Sequence, residues 1–229
     1  MRAELLSLLW LAITIGGYYA LKPLYRRRPR WWTSPLLTVP VLLAVLGLVL
    51  GMNYPAYIRD THWLVLMLGP ATVAFALPIF RYRALIRAHW PALLAGVLGG
   101  SAMAVASAWG LATACGLDDT VRRSLLARSI TTPLAMVVSA DVGGVPELTA
   151  LFVVITGVMG IALGELLLRY LPLRSALARG ALFGVGAHGA GTAKAYDVGT
   201  EEGSVASLAM VLAGLLNVLL APCLAGWLH

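Results

Sequence analysis

The stretch of sequence that decides the fold runs from residue 184 to residue 195 and reads GVGAHGAGTAKA. It places His188 among four glycines, between two apolar runs. Glycine weakens a helix, and a polar side chain is costly in an apolar environment. The stretch therefore predicts a helix that is broken at residues 188–192, and it raises the question of what an apolar chain gains from such a break.

The composition of the whole chain is that of an integral membrane protein. Of its 229 residues 60% are hydrophobic and only 12% are charged, against roughly 25% charged residues in soluble domains. The mean hydropathy is +0.85. Eight apolar runs approach the roughly 20 residues that a helix needs to cross a bilayer. They cover residues 5–21, 35–52, 62–80, 90–116, 120–140, 148–168, 176–193 and 204–228.

The 17 lysines and arginines lie in short loops instead of on one continuous face. The net charge of +7 therefore predicts an orientation against anionic lipid and no binding of nucleic acid. Five basic residues between Lys22 and Arg30 follow the first run, so we expect that loop inside the cell and the N-terminus outside. The predicted location is the cytoplasmic (inner) membrane of a bacterium, with several spans.

The distribution of basic residues favours two segments that enter the membrane and return. If all eight runs cross, nine of the 17 basic residues lie inside and eight outside, which is no bias. If the fifth run (120–140) and the seventh run (176–198) return to the side that they entered, twelve lie inside and five outside. We therefore prefer the second topology, although unwound spans that cross the membrane remain the alternative.

The fifth run contains a second helix-breaking pattern, LLARSITTPLAMVVS. We place Thr132 as an N-cap and Pro133 at the first helical position, so that one short helix ends and another begins inside the membrane. Non-helical backbone at that depth requires protein or a water-filled cavity around it. One full span separates the two breaks, so the two segments enter from opposite faces, as in the inverted repeats of secondary transporters.

The predicted fold class is therefore an all-α polytopic membrane protein, with about six full spans and two re-entrant or broken-helix segments. We expect residues 1–60 to form a two-helix scaffold that also makes the contact of a homodimer. Residues 61–229 form the predicted core, with broken segments near 120–145 and 176–198.

The predicted site lies between the two breaks. Helices that begin at Pro133 and near Ala193 would point free N–H groups and partial positive charge at it, which favours an anion. A small carboxylate fits this chemistry, and the glycines would let the backbone approach it closely. The candidate substrate-binding residues are Arg128, Ser129, Thr131, Thr132, Pro133, His188, Gly189, Gly191, Thr192 and Asn217, with Pro70 and Thr72 as a third wall.

Each of these residues also has a structural interpretation. The proline can produce a simple kink, and the glycines can serve close helix packing. A histidine side chain in water titrates near neutral pH, so His188 would suit proton coupling, or it can bond to the backbone of the break. Asn217 can join two helices, and Glu165 can be solvated or paired with Arg169. We predict no catalytic residues, no metal site and no cofactor, and we leave coupling to H+ or Na+ open.

Several stretches together resemble the LrgB/CidB family. They read LGPATVAFALPIF (68–80), RSITTPLAM (128–136), GGVP (143–146) and GAHGAGTAKA (186–195), the last followed by EEGSVASLAMVLAGLLNVLLAP (201–222). The resemblance covers most of the chain from about residue 62 onward. The family includes bacterial YohK-type proteins and the C-terminal domain of the plant plastid glycolate/glycerate transporter. Where many members carry a lysine before the S-x-T-T-P motif, this chain has Arg128, which keeps the charge with a different geometry.

The resemblance implies two functions. The first is a transporter-like protein for small monocarboxylates such as glycolate, glycerate or pyruvate. The second is an antiholin-like regulator of murein hydrolase export and autolysis that acts with a small LrgA/CidA-type partner. An intramembrane enzyme is not expected, because no acid, base and nucleophile come together in the sequence.

Overall fold

The computed structural model describes residues 2–27, 31–51 and 54–228, and within these ranges the chain is helical without strands. This confirms the predicted class, an all-α polytopic membrane protein. The helices are α1 (Arg2–Arg27), α2 (Pro35–Val49), α3 (Tyr54–Leu66), α4 (Leu68–Ala74), α5 (Ala76–Arg81), α6 (Arg83–Ala114), α7 (Asp119–Leu125), α8 (Thr132–Asp141), α9 (Pro146–Tyr170), α10 (Ala176–Val198) and α11 (Thr200–Leu228), with a 3-10 turn at Trp31–Thr33.

Four helical segments in the described part of the chain are long and apolar enough to cross a membrane. They agree with four of the six predicted full spans. The other two predicted spans correspond to α1, which has 26 residues, and α2, which has 15; their crossing stays a prediction. The four segments are Thr61–Arg81, Arg83–Ala114, Pro146–Tyr170 and Thr200–Leu228.

The chain divides into two compact units, Met1–Ala71 and Thr72–His229. The division falls eleven residues after the boundary that we placed at residue 60. Within the first unit, α1 packs against α2 and α3. The rings of Trp10 and Tyr57 meet edge to face, with centroids 5.3 Å apart, and Trp10 is buried.

The fifth apolar run forms a hairpin that returns to its starting level; we call residues 119–145 the first hairpin. An Arg123 guanidinium N–H donates to the carbonyl oxygen of Val142 at 3.1 Å. The backbone N–H of Val145 donates to the hydroxyl of Ser124 at 2.8 Å. The two ends of the segment therefore lie together. Helix α8, of ten residues, is about 15 Å long, half of what a crossing requires.

The tip of the first hairpin is the non-helical segment 126–131. Our placement of the helix start was wrong by one residue, because Thr131 is the N-cap of α8 and Thr132 already lies in the helix. Thr131 has extended backbone angles, as the residue preceding a helix must, and its carbonyl accepts the first helical hydrogen bonds from Leu134 and Ala135. Pro133 follows within the first turn, where its missing N–H has no cost.

The seventh run forms the second hairpin, residues 176–199. Its helix is interrupted at His188 alone, where φ is +41° and ψ is −127°, so the prediction of a five-residue break with a helix starting near Ala193 was wrong. Gly191 lies directly against the carbonyl oxygen of Phe183. Residues eight apart in a continuous helix are about 12 Å apart along its axis. The two halves of α10 therefore fold back on each other.

The core contains the same pair of elements twice, a hairpin followed by a long helix, and the two hairpins point in opposite directions. The first hairpin is followed by α9, and the second hairpin is followed by α11. Both tips reach the middle of α9: Arg128 approaches Thr156, and His188 bonds to Val153. The hairpins enter from opposite ends of α9, which is the inverted-repeat layout expected from the sequence.

Helix α9 packs on the second hairpin through glycines that leave no room for a side chain. A Cβ at Gly157 would meet the ring of His188, one at Gly160 would meet Ala187, and one at Gly164 would meet Phe183. Small residues let helix backbones approach closely inside a membrane, where the hydrophobic effect no longer drives helices together. The fold of the core therefore depends on this glycine face of α9.

Thiol labelling from the two sides of a membrane tests the returning hairpins. In a background without Cys115 and Cys223, we expect cysteines at Asp118 and Glu147 to be labelled from one side. Cysteines at Ser175 and Glu201 should be labelled from the other side, since all four positions are exposed. Labelling of positions 118 and 147 from opposite sides would show instead that the fifth run crosses.

Replacing Gly160 with leucine tests the packing face of α9. We expect Gly160→Leu to lower the unfolding free energy by roughly 1–3 kcal/mol, because the added atoms overlap Ala187 and force the hairpin away. The measurement is the thermal unfolding midpoint in detergent. Gly99→Leu on α6, where an added Cβ meets nothing within 4 Å, is the matched control; an equal loss in both variants would refute the packing role.

Candidate functional site

An open cavity lies beside the tip of the first hairpin, with a volume of about 430 Å³. Small-molecule sites usually measure roughly 300–1,000 Å³. The cavity is bounded by α6, by the tip segment, by the middle of α9 and by the first half of α10. Its lining residues are Gly96, Gly100, Met103, Ala104, Ser107, Arg128, Ser129, Thr156, Ala181, Leu182, Val185 and Gly186.

Arg128 supplies the positive charge of this cavity. Its side chain is partly buried, and one guanidinium N–H reaches the hydroxyl of Thr156 at 3.5 Å. No carboxylate lies within ion-pair distance of Arg128 in the described part of the chain. A guanidinium carries five N–H donors, and an arginine at membrane depth normally has a partner. The remaining donors are therefore available to an anion.

Three hydroxyl groups line the same cavity as the guanidinium. Ser129 is buried and lines the cavity beside Arg128. Thr156 belongs to the middle of α9, and Ser107 lies on α6, where its hydroxyl donates to the carbonyl of Ala104 at 3.1 Å. Each hydroxyl can still accept a hydrogen bond, and that of Ser129 can also donate one. The cavity thus combines one cation with neutral hydrogen-bonding groups, which suits a small anion that also carries an oxygen substituent.

The structure brings only part of the predicted site together. Arg128 and Ser129 line the cavity, whereas Thr131, Thr132 and Pro133 form the start of α8 and do not. Thr192 donates its hydroxyl to the carbonyl of His188 at 2.9 Å. The geometry therefore favours recognition by a side chain over recognition by helix N-termini.

His188 is buried, and its Nε2 lies 3.0 Å from the carbonyl oxygen of Val153. Since a carbonyl only accepts, Nε2 carries a hydrogen and donates it. The ring therefore fastens the tip of the second hairpin to α9. We predicted a bond from His188 to the backbone of the break, but the ring bonds to the backbone of α9 instead. The ring does not line the cavity.

The two glycines after His188 differ in their surroundings. Gly191 is packed against Phe183 and Ala187, so it allows a close approach of the protein's own backbone and not of a bound carboxylate. Gly189 is exposed, and a Cβ added there would make only an ordinary contact with the sulfur of Met210, at 3.9 Å. The structural interpretation of these glycines as helix packing therefore applies to Gly191.

Asn217 serves a contact between helices, the structural alternative given above. Its amide N–H donates to the hydroxyl of Ser101 at 3.0 Å and to the carbonyl of Ala213 at 2.8 Å. It lines a different cavity of about 590 Å³, which lies between α6 and α11 and has mainly apolar walls. Its predicted role in substrate binding has no support from this position.

Pro70 and Thr72 both belong to α4. The helical segment 61–81 is interrupted at Met67 and at Phe75, three residues before Pro70 and Pro78. Each proline removes an N–H that would bond four residues back, so both act as kinks. Thr72 does not line the cavity, and Pro70 as a wall of the site stays a prediction.

Glu165 pairs with Lys194, not with Arg169 as we considered. Their charged atoms are 2.6 Å apart, and the side chains are 34% and 15% exposed. The pair joins α9 to the second half of α10. Sequence reasoning did not identify Lys194 as the partner of Glu165, because the two residues lie 29 positions apart and meet only when α10 folds back on itself.

Sequence reasoning also missed Ser107, Thr156, Gly96 and Gly186 as lining residues. Thr156 carries the most recognisable signal, since it is a hydroxyl in the middle of the apolar helix α9. The glycines carry none, because nothing in the sequence distinguishes a glycine that faces a cavity from one that faces a helix.

The fold and the site together define a polytopic membrane protein with two opposed re-entrant hairpins and an arginine-containing cavity at the level where their tips meet. Residues 14–227 match the LrgB-like family, and the chain belongs to it.

Relatives cover nearly all of the chain. It is 38% identical to the Bacillus subtilis (strain 168) protein YwbG over 93% of this chain and 95% of that protein. It is 31% identical to the holin-like protein CidB of Staphylococcus aureus (strain Mu50), over 95% of both chains. The antiholin-like protein LrgB of B. subtilis (strain 168) is 31% identical over 82% of both. No solved structure gives a significant match.

A charge-swap series tests the pair of Glu165 and Lys194. We expect Glu165→Gln to lower the thermal unfolding midpoint, because it leaves the ammonium of Lys194 partly buried beside a neutral group. The double variant with Glu165→Lys and Lys194→Glu should recover most of the loss, since it restores opposite charges. A double variant less stable than Glu165→Lys alone and Lys194→Glu alone would show that the two residues act independently.

Proposed function

We propose that this protein carries small monocarboxylates of the glycolate, glycerate or pyruvate type across the membrane by alternating access. The observation that supports it best is Arg128, a partly buried cation with no carboxylate partner in the described part of the chain, in a cavity at the middle of α9. An anion bound there would neutralise the charge where water is scarce.

The chemistry of the cavity fits such a solute. A carboxylate accepts two parallel N–H bonds from a guanidinium fork, which fixes its orientation as well as its charge. Ser129 and Thr156 can bond to a hydroxyl or keto oxygen next to it. With one cation and no second one in the lining, the cavity matches a monoanion better than a dianion.

The inverted hairpins offer a path for alternating access. Both hairpins end near the same level of α9, so movement of one hairpin relative to the other would expose the site to one face at a time. The N-terminus outside, the inner membrane of a bacterium, the homodimer and coupling to H+ or Na+ remain parts of the proposal. Catalysis is not part of it.

The second candidate is an antiholin-like or holin-like regulator of murein hydrolase export and autolysis, acting with an LrgA/CidA-type membrane partner. The names of the relatives, holin-like CidB and antiholin-like LrgB, favour this function more than they favour a carrier. A regulator would act by assembly with its partner and would need no flux of solute.

Uptake into liposomes tests the carrier function. We expect saturable uptake of labelled pyruvate or glycolate by the purified protein. Arg128→Gln should reduce it roughly 30-fold or more, since a buried charged partner is lost. Arg128→Lys keeps the charge but loses the forked pair of N–H donors, so its uptake should lie between that of the unmodified protein and that of Arg128→Gln.

Arg174→Gln, a change at an exposed arginine outside the cavity, is the control and should transport normally. A folded protein that takes up no carboxylate from a broad panel would overturn the carrier function. Dye leakage that changes only when a small holin-like membrane protein is reconstituted with it would then establish the regulator.

A further inference from the structure

The wall of the Arg128 cavity has a polar part and an apolar part. Arg128, Ser129 and Thr156 form the polar part, together with Ser107 at the far end of the α6 lining. The apolar part comes from α6 and from the first half of α10, and it includes Met103, Leu182, Val185, Gly96 and Gly186. An anion held by its charged end at Arg128 therefore directs its other end toward these apolar residues.

Gly96 and Gly186 differ from the glycines that hold the helices together. A Cβ at Gly184 would overlap the backbone of Ala206, and one at Gly100 would overlap Val185. A Cβ at Gly96 or Gly186 would meet nothing within 4 Å. Neither residue has a positive φ. Packing and backbone conformation thus leave both positions open to larger residues.

Glycine in the interior of a helix is unfavourable relative to alanine. A Cβ at Gly96 or Gly186 would disturb no contact within the described chain, and at both positions the missing side chain enlarges the cavity. Gly99 is equally uncrowded but does not line the cavity, so it separates the effect of an added side chain on helix α6 from its effect on the cavity.

We propose that Gly96 and Gly186 determine how long an anion the Arg128 cavity admits. Gly96 lies on α6 and Gly186 lies on the facing half of α10. The space between these two glycines receives the end of the solute that is remote from its carboxylate. This inference rests on the proposed carrier function, and it assigns size selection to residues that carry no charge and no hydrogen-bonding side chain.

A series of straight-chain monocarboxylates, from acetate to hexanoate, tests size selection by competition with labelled pyruvate in liposomes. In the unmodified protein we expect apparent affinity to rise by up to about fourfold per methylene until the chain reaches the wall, and then to fall. Gly186→Leu and Gly96→Leu should each move this maximum to a shorter acid. The longest acid that binds well should lose tenfold or more, and acetate should change less than twofold.

Gly99→Leu is the matched control, and its length profile should equal that of the unmodified protein. Gly186→Ala is the milder variant if leucine at that position impairs folding, and it should move the maximum in the same direction by a smaller amount. A length profile that is unchanged in folded Gly186→Ala and Gly96→Leu would overturn the inference while leaving the carrier function intact. An unmodified protein that takes up no carboxylate would overturn the carrier function itself.

A readout without transport tests whether the two glycines share one space. In a background lacking Cys115 and Cys223, a cysteine at Gly186 should react with an anionic methanethiosulfonate reagent. Gly96→Leu should slow this reaction tenfold or more, and Gly99→Leu should leave it unchanged. Equal rates in all three proteins would show that Gly96 and Gly186 do not face the same cavity.

Discussion

The close contact between α9 and the second hairpin is the constraint on which the rest of the core depends. The helix of the hairpin is interrupted at His188, and each half is too short to cross the bilayer. The two halves therefore lie side by side, as the contact of Gly191 with Phe183 shows. Backbone groups at that depth have no water to bond to, and helices approach closely only where side chains are small. The glycines of α9 at 157, 160 and 164 meet this requirement. The position of the tip, and with it one wall of the cavity, follows from that contact.

His188 shows how a break can be stabilised in such a setting. A residue with φ near +41° other than glycine is strained, and the surrounding contacts must hold it. The bond from its ring to Val153 and the bond from Thr192 to its carbonyl do so from both sides. The histidine therefore reverses the chain and attaches the turn to α9, and Gly191 allows the returning half to lie against the first.

Much of the fold was predictable, because charge and helix breakers act locally. The bias of basic residues, with the motifs around Pro133 and His188, placed both hairpins, and the apolar runs placed the long apolar helices. What could not be predicted was which groups meet. The pairs Glu165–Lys194 and Arg128–Thr156 are about 30 positions apart and depend on where each hairpin turns. The start of α8 and the width of the second break were misjudged, since N-capping residues and glycines are compatible with several registers.

The position of Arg128 links the binding of a solute to the attachment of the first hairpin. Arg128 lies on the non-helical tip, not on a rigid helix, and its described side-chain hydrogen bond leads to α9, the element against which the second hairpin also packs. A solute that binds the guanidinium would compete with or reinforce that single bond, and so would change how firmly the first hairpin is held to α9. Binding energy could then shift the relative position of the two hairpins, provided that the solute has unequal affinity for the two arrangements. A membrane partner that binds either hairpin would change the same attachment to α9. A carrier and a regulator can therefore share this arrangement of hairpins, and they differ in whether a solute or a partner protein changes it.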